Sequence, residues 1–515
     1  MRLVLRRLGA GTAAALGLAL VISAALPSAA QQAVGKVTIT VVGIDRAGTQ
    51  VAVQSSVVPL RGNAIASSGA TYRVPPGTYF IGASVPTAAG GNQASDTIVI
   101  RRVNVTASQT IKLDARGSKL VSVRLDGKNL GSPVIAGGCI RGGVGVIYPS
   151  GVQQLYVKPV NVAKVGFEWT LSAPGPGSST RDLAGGSKAG IPANPVYRIS
   201  SSQLVPTVIK AKAGPVPDTA ATWATSVTAA DGCALPGATG SVVLPARVTD
   251  YRTPGSWRTE VDTSRGLGTY KCSNTWADQK YLAGHRYTVT FDNAAHGPSR
   301  AVPVVVGRTL SFDPGPGFQF SDPQQQGYEY CNRLRVTLSR AGRVLKSRSY
   351  TGYAGPVTDF AATVRPGRYV LSVKARQSEV HQPMPGSLLS PRTSLTWRFR
   401  IGPGAVPVAV ISFLPHGLNM ANMAAPGSVT TIKAWATQNQ YAFRSGTRSA
   451  AKKFSVQASF NAGKTWHAVH LVRHRGYWTI RVRNPRSGYV SIRSTTVNAA
   501  GDTSVETIYR AYGIG

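Results

Sequence analysis

A Pro-Gly step with Tyr two residues beyond the Gly occurs twice in this chain, as Val74-Pro75-Pro76-Gly77-Thr78-Tyr79 and as Val364-Arg365-Pro366-Gly367-Arg368-Tyr369. Proline presets φ at the second position of a four-residue turn and glycine accepts the positive φ at the third, so both copies predict type II turns. The segments that follow, Tyr79 to Val85 and Tyr369 to Val373, carry the aromatic and β-branched residues that suit a pleated, half-buried surface. A looser version, Leu282-Ala283-Gly284-His285-Arg286-Tyr287, lies between them. Turns of this kind between short apolar runs confine the chain to an all-β fold of tandem β-sandwich modules.

At 515 residues the chain exceeds one core. About 100 to 200 residues per domain gives roughly three or four. Arg2, Arg6 and Arg7 precede an apolar run from Leu8 to Leu26, and Pro27-Ser28-Ala29-Ala30 then supplies the small residues of a cleavage site. Residues 1–30 therefore read as a cleaved export signal, and Pro27 argues against the alternative of an uncleaved anchor. The mature chain is expected outside the cytoplasm, secreted or wall-associated, without a membrane anchor. Cys139, Cys233, Cys272 and Cys331 are an even number in an exported chain, which predicts two disulfides with three possible pairings. Sequential pairing, Cys139 with Cys233 and Cys272 with Cys331, keeps each bridge local. No two cysteines have the spacing of a zinc knuckle.

The formal charge of +37 arises from 57 Lys and Arg against 20 Asp and Glu. Such a surplus attracts polyanions, which outside the cell include wall polymers, acidic polysaccharide and released nucleic acid. The basic residues are dispersed along strand-like segments and form neither a block nor a helix stripe. That dispersal favours charge serving solubility, and it does not predict specific nucleic-acid binding.

Strands are expected at Lys36 to Ile44, Thr71 to Val74, Tyr79 to Val85, Thr97 to Val105 and Thr110 to Leu113. With the turn Asp45-Arg46-Ala47-Gly48, the Val-Pro-Pro-Gly-Thr-Tyr hairpin and the closing Val105-Thr106-Ala107-Ser108-Gln109-Thr110-Ile111-Lys112-Leu113, residues 36–126 resemble a carboxypeptidase regulatory-like, or transthyretin-like, domain. The resemblance implies an accessory β-sandwich without catalysis. Four modules follow the signal: 31–126, a loop-rich β module at 127–248, a β-sandwich at 249–402 and a C-terminal Ig-like β-sandwich at 406–515. In the loop-rich module, Ala173-Pro174-Gly175-Pro176-Gly177-Ser178-Ser179-Thr180 reads as loop.

A second resemblance covers residues 250–515. It rests on Ala283-Gly284-His285-Arg286-Tyr287, Ala295-His296-Gly297-Pro298, Trp397-Arg398-Phe399, Ser459-x-Asn461-x-Gly463-x-Thr465-Trp466, Asn498-Ala499-Ala500-Gly501-Asp502 and Ile508-Tyr509-Arg510-Ala511-Tyr512-Gly513. In that order these are similar to the non-catalytic C-terminal region of exported subtilisin-like serine peptidases of high-GC Gram-positive bacteria. The catalytic sequences of that family are not found. Asp262-Thr263-Ser264 lacks the Gly, His296-Gly297-Pro298 and His416-Gly417-Leu418 lack the Thr, and Ser445-Gly446-Thr447-Arg448 has Arg at the nucleophile's place. No catalytic residue, metal ligand or cofactor site is assigned.

Ser459 to Trp466 also fits the hairpin motif called the Asp box with Asn461 for Asp, a turn motif in which side chains satisfy backbone groups. His467, His470 and His474 would share one face of a helix, but on a strand His467 and His470 point to opposite faces, which counts against a metal site. Trp223, Trp257, Trp276 and Trp478 are the aromatic candidates for stacking on a sugar or peptide, with burial in a sandwich core as the competing reading. The function expected from these residues is non-catalytic binding or scaffolding at the cell surface or in the medium. Its partners would be wall polyanions or secreted proteins. The rivals are an unrecognised peptidase or glycan hydrolase, and a remnant of a subtilisin-like protease.

Overall fold

The computed structural model describes residues 35–60, 65–88, 95–133, 135–140, 146–147, 154–162, 165–214, 219–228, 234–265, 270–298, 302–312, 325–329, 332–351, 360–377, 389–402, 406, 408–437 and 451–515. The expected export signal lies outside them. Among the described residues the chain is built from strands with one short 3-10 turn, Ser201–Gln203, and the strands form eight sheets. The all-β, tandem-sandwich expectation is met. Among the same residues no helix is long and apolar enough to cross a membrane.

Alternation explains the layers. Along Gly367–Gln377 every second side chain from Tyr369 to Gln377 is buried, and the intervening ones face out. Gly77–Thr87 departs from this pattern because both of its faces are covered. Ile81, Ala83 and Val85 join Ile39, Val41 and Leu113 in one core, while Phe80, with Val58, Ile98 and Ile100, joins Phe167, Trp169 and Leu183 in the next. Two sandwiches thus share a sheet, and the chain between them is no simple linker.

Sheets cross each of the module limits read from sequence. Gln154–Val157 runs parallel to Ser95–Val105, Val205–Ala211 lies between Ala246–Arg252 and Tyr287–Phe291, and Arg392–Ile401 pairs with Thr503–Ile514. The region 127–248 is richer in strand than its glycines and prolines suggest. The stretch read as loop is a tight hairpin whose pairing begins at Pro174 and Thr180, closed by the Gly175 amide donating to the Ser179 carbonyl at 2.9 Å. Gly185 lies under the indole of Trp169, where an added Cβ would come within 2.7 Å of the ring. Glycine there serves packing, which composition alone disguises as flexibility.

The Pro-Gly-x-aromatic element is a sheet-to-sheet corner. The type II hairpin expected from it does not form, because Gly77 and Gly367 already open strands and the preceding strands, Thr71–Val74 and Phe360–Thr363, belong to other sheets. Proline has no N–H for a ladder, so pairing stops there. The aromatic then reaches back four residues. Tyr79 donates from its hydroxyl to the Pro75 carbonyl at 2.6 Å, and Tyr369 donates to the Arg365 carbonyl at 2.9 Å while accepting from the Arg365 amide at 3.0 Å. A third copy, Thr253-Pro254-Gly255-Ser256-Trp257, was hidden by its Trp: the indole N–H donates to the Thr253 carbonyl at 2.9 Å, again four residues back. Gly255 and Gly367 have φ of 152° and 148°, backbone that side chains rarely adopt.

A seam ties residues 205–294 to the C-terminal core. Ala294 and Ala295 pack among Ile411, Ile432, Ile480 and Ile508. Asn422, fully buried, donates from Nδ2 to the carbonyls of Ala213 and Asp292 at 2.8 and 2.7 Å and accepts from the Ala294 amide at 3.1 Å. Burial pushes the Asp292 carboxyl up to about 7.

Two outcomes follow from this packing. Tyr369→Phe removes both hydroxyl bonds of a corner and is expected to lower stability by about 1–3 kcal/mol, read by chemical denaturation. Asp292 is raised in the folded state, so its burden on stability is absent below about pH 4, grows as pH rises toward about 7 and is constant above. Asp292→Asn is expected to raise the melting temperature at pH 8, by up to about 4 kcal/mol in stability, and to leave it unchanged at pH 4.

Candidate polyanion-binding face

Among the described residues the largest sheet has nine strands, and its central ones are Asn332–Arg340, Gly367–Gln377, Arg392–Ile401, Thr503–Ile514 and Gly488–Val497. Its inner face is apolar: Leu334, Val336, Leu371, Val373, Leu395, Trp397 and Phe399 are buried together. Because the strand period is two, residues between these must all emerge on the opposite face. On the first three strands those residues include eight exposed cations, Arg333, Arg335, Arg368, Lys374, Arg376, Arg392, Arg398 and Arg400, and these strands contain no Asp or Glu.

Register gathers them. Arg333 stands opposite Arg376, and Arg376 opposite Arg392, so three guanidinium groups form one row across three strands. A second row runs Arg335, Lys374, Ser394, Thr507 and Arg493, and Arg368 stands opposite Arg400. Strand geometry sets neighbouring charges about 5 Å apart across strands and about 7 Å apart along them. Like charges directly opposite destabilise a sheet by roughly a few tenths of a kcal/mol per pair. Among the described residues the ion pairs are Arg116 with Asp114, Arg252 with Asp250 and Arg258 with Asp278, and none neutralises this face.

One border of the face is aromatic. The Arg392 guanidinium lies 4.5 Å over the ring of Tyr509, and Arg493 lies 4.0 Å over Trp466, which meets Tyr509 edge-on. Trp466 is held by the Asn461 turn, which behaves as the motif predicts. The Thr465 amide donates to Asn461 Oδ1 and the Gly463 amide to Ser459 Oγ, both at 2.9 Å. Asn461 is occupied in shaping the hairpin.

Other residues singled out from sequence are placed apart. Trp223 and Trp257 are core residues, 4% and 1% exposed, so they form no stacking platform. Trp276 and Trp478 are half-buried, with Arg258 over the first and Phe454 against the second. His467 and His470 belong to different sheets, because the chain leaves one sheet after Ala468 and enters the other at His470. His474 stacks on Tyr477. Among the described residues no group of three or more His, Cys, Asp or Glu could hold a metal ion. Asp262 lies on Gly255–Arg265, His296 is buried beside the C-terminal core and His416 is exposed at its rim, on three separate elements; Ser445 lies outside the described residues. Of the expected disulfide residues, Cys233 and Cys331 lie outside the described residues. Cys139 and Cys272 are backbone positions in Ile135–Ile140 and Tyr270–Tyr281.

No family model matches the chain, and no curated protein matches it. Among solved structures one similar chain is described as "The Bacillus anthracis TIE protein", at 11% identity and a TM-score of 0.14, covering 50% of this chain and 51% of that one. The match spans about half of that chain's length, and a superposition this loose carries no argument about fold or role.

The cations of the sheet face were the residues missed by sequence reasoning. Their signal is the alternation itself, as in Arg333-Leu334-Arg335-Val336 and Arg398-Phe399-Arg400-Ile401, where each buried apolar residue assigns its basic neighbours to the far side.

Proposed function

We propose that the mature chain is an exported, non-catalytic binding or scaffolding protein that holds an anionic wall polymer against the outer face of its nine-stranded sheet. The observation that carries this reading is the row Arg333, Arg376 and Arg392, with five further exposed cations around it and no carboxylate on the same strands. Unpaired like charges at such spacing are a cost to folding, and a polymer with a negative charge every 5 to 7 Å or so would offset it. Long-range attraction from the large excess of basic over acidic residues would speed encounter. An accessory role accords with the resemblance of residues 250–515 to the non-peptidase region of exported subtilisin-like enzymes.

The mature chain should be retained on purified anionic cell wall at low salt and released at roughly 0.5 M salt, where screening acts within about 4 Å. The triple variant R376E/K374E/R398E, all exposed positions, should lose retention at least about tenfold while melting as the parent does. Equal retention of parent and variant, or none by the parent, sinks the reading; specific labelling by a covalent serine-hydrolase probe would favour an enzyme instead.

We further infer two bridges, Cys139–Cys233 and Cys272–Cys331. The antiparallel pairing of Tyr270–Tyr281 with Gln326–Glu329, a strand that ends two residues before Cys331, brings the segments that carry the second pair together and supports it. Non-reducing peptide mapping is expected to find these two linkages, and any crossed pair would contradict them.

A further inference from the structure

A cleft of about 560 Å³ opens at the seam between the strands around residue 210 and the loop after Pro415. Its walls carry Lys210, Lys212 and Arg247, with Thr290, Asn293 and His416 among the polar groups and no acidic residue. Register builds it: Lys210 stands opposite Arg247 on one side and Thr290 on the other, at the ends of three adjacent strands. Lys212 follows one residue beyond its strand. It is only 8% exposed, and its ammonium donates to the Leu418 carbonyl at 3.3 Å. Among the described residues none of the three cations is in an ion pair.

A buried ammonium is costly unless a counter-charge meets it. Here the backbone carbonyl of Leu418 supplies a partial charge only, and the Lys210 ammonium adds repulsion. Burial, and secondarily the Lys210 ammonium, lower the Lys212 pKa. The walls are fixed. The Ala213 amide donates to the Met420 carbonyl at 2.8 Å, and Asn422 donates to the carbonyls of Ala213 and Asp292, so the loop and the strand ends are stitched together. Three converging cations in a preformed recess of this size match one compact multivalent oxyanion on a small organic body.

We propose that this cleft is a binding site for a phosphate group, presented either as the phosphorylated end of a wall polymer or as a free phosphate. It is a discrete pocket with its own residues, and it does not depend on polymer binding by the sheet face. Lys212 forms the inner contact, with Lys210 and Arg247 closing on the phosphate oxygens from the mouth.

Titration of the mature chain with inorganic phosphate and with glycerol 3-phosphate, followed by calorimetry at low ionic strength, tests it. Saturable binding of at least one probe is expected, weakened about tenfold or more by Lys212→Met and by the double variant K210M/R247M. The double variant alters residues at the mouth and guards against a folding defect in the first; both are checked by melting temperature. Tighter binding of glycerol 3-phosphate points to a polymer end, and equal binding to free phosphate. The sheet-face variant R376E/K374E/R398E should bind both probes as the parent does, which separates failure here from failure of the polymer-binding reading. No saturable binding by the parent, or affinities of both cleft variants within twofold of it, would overturn the proposal.

Discussion

Parity along the strand governs this molecule: each residue must choose between two faces, and its neighbours must take the other. Leu334, Val336, Leu371, Val373, Leu395 and Trp397 are committed to the core, so the basic residues between them have no alternative to the outer face. Register then converts separate alternations into rows, because neighbouring strands are locked by the same apolar positions. A one-residue slip of Gly367–Gln377 would drive Lys374 and Arg376 into the core, so hydrophobic burial and the charged surface are one constraint seen from two sides.

Corners complement that constraint by moving the chain between sheets without leaving backbone groups unsatisfied. Three of them use the same parts: a proline that ends pairing, a glycine that redirects the chain, and an aromatic two residues later whose polar tip meets the carbonyl four residues behind it. The ring fills the core and the tip holds the turn, so burial and hydrogen bonding come from one side chain. Trp257 does with an indole N–H what Tyr79 and Tyr369 do with a hydroxyl.

Much of the strand pattern in the first module was legible from alternation and turn residues, as in Thr71–Val74 and Gln109–Asp114. What the sequence concealed was partnership. Nothing local to Gln154–Val157 says that it joins a sheet begun near residue 55, and nothing local to Arg392–Ile401 names Thr503–Ile514 as its neighbour. The same blindness made the cations look scattered, since Arg333, Arg376 and Arg392 become adjacent only through pairings between distant segments. The cleft was illegible for that reason too, being assembled from strand ends near 210, 247 and 290 and a loop beyond 415.

The pairing of Arg392–Ile401 with Thr503–Ile514 carries a kinetic implication. Until roughly a hundred further residues have been synthesised and delivered, the earlier strand has an open ladder on that side, and a bare ladder recruits whatever extended chain it meets. Closure of this sheet is therefore expected late in assembly and sensitive to concentration, because an unpaired edge can join a second copy of the same chain.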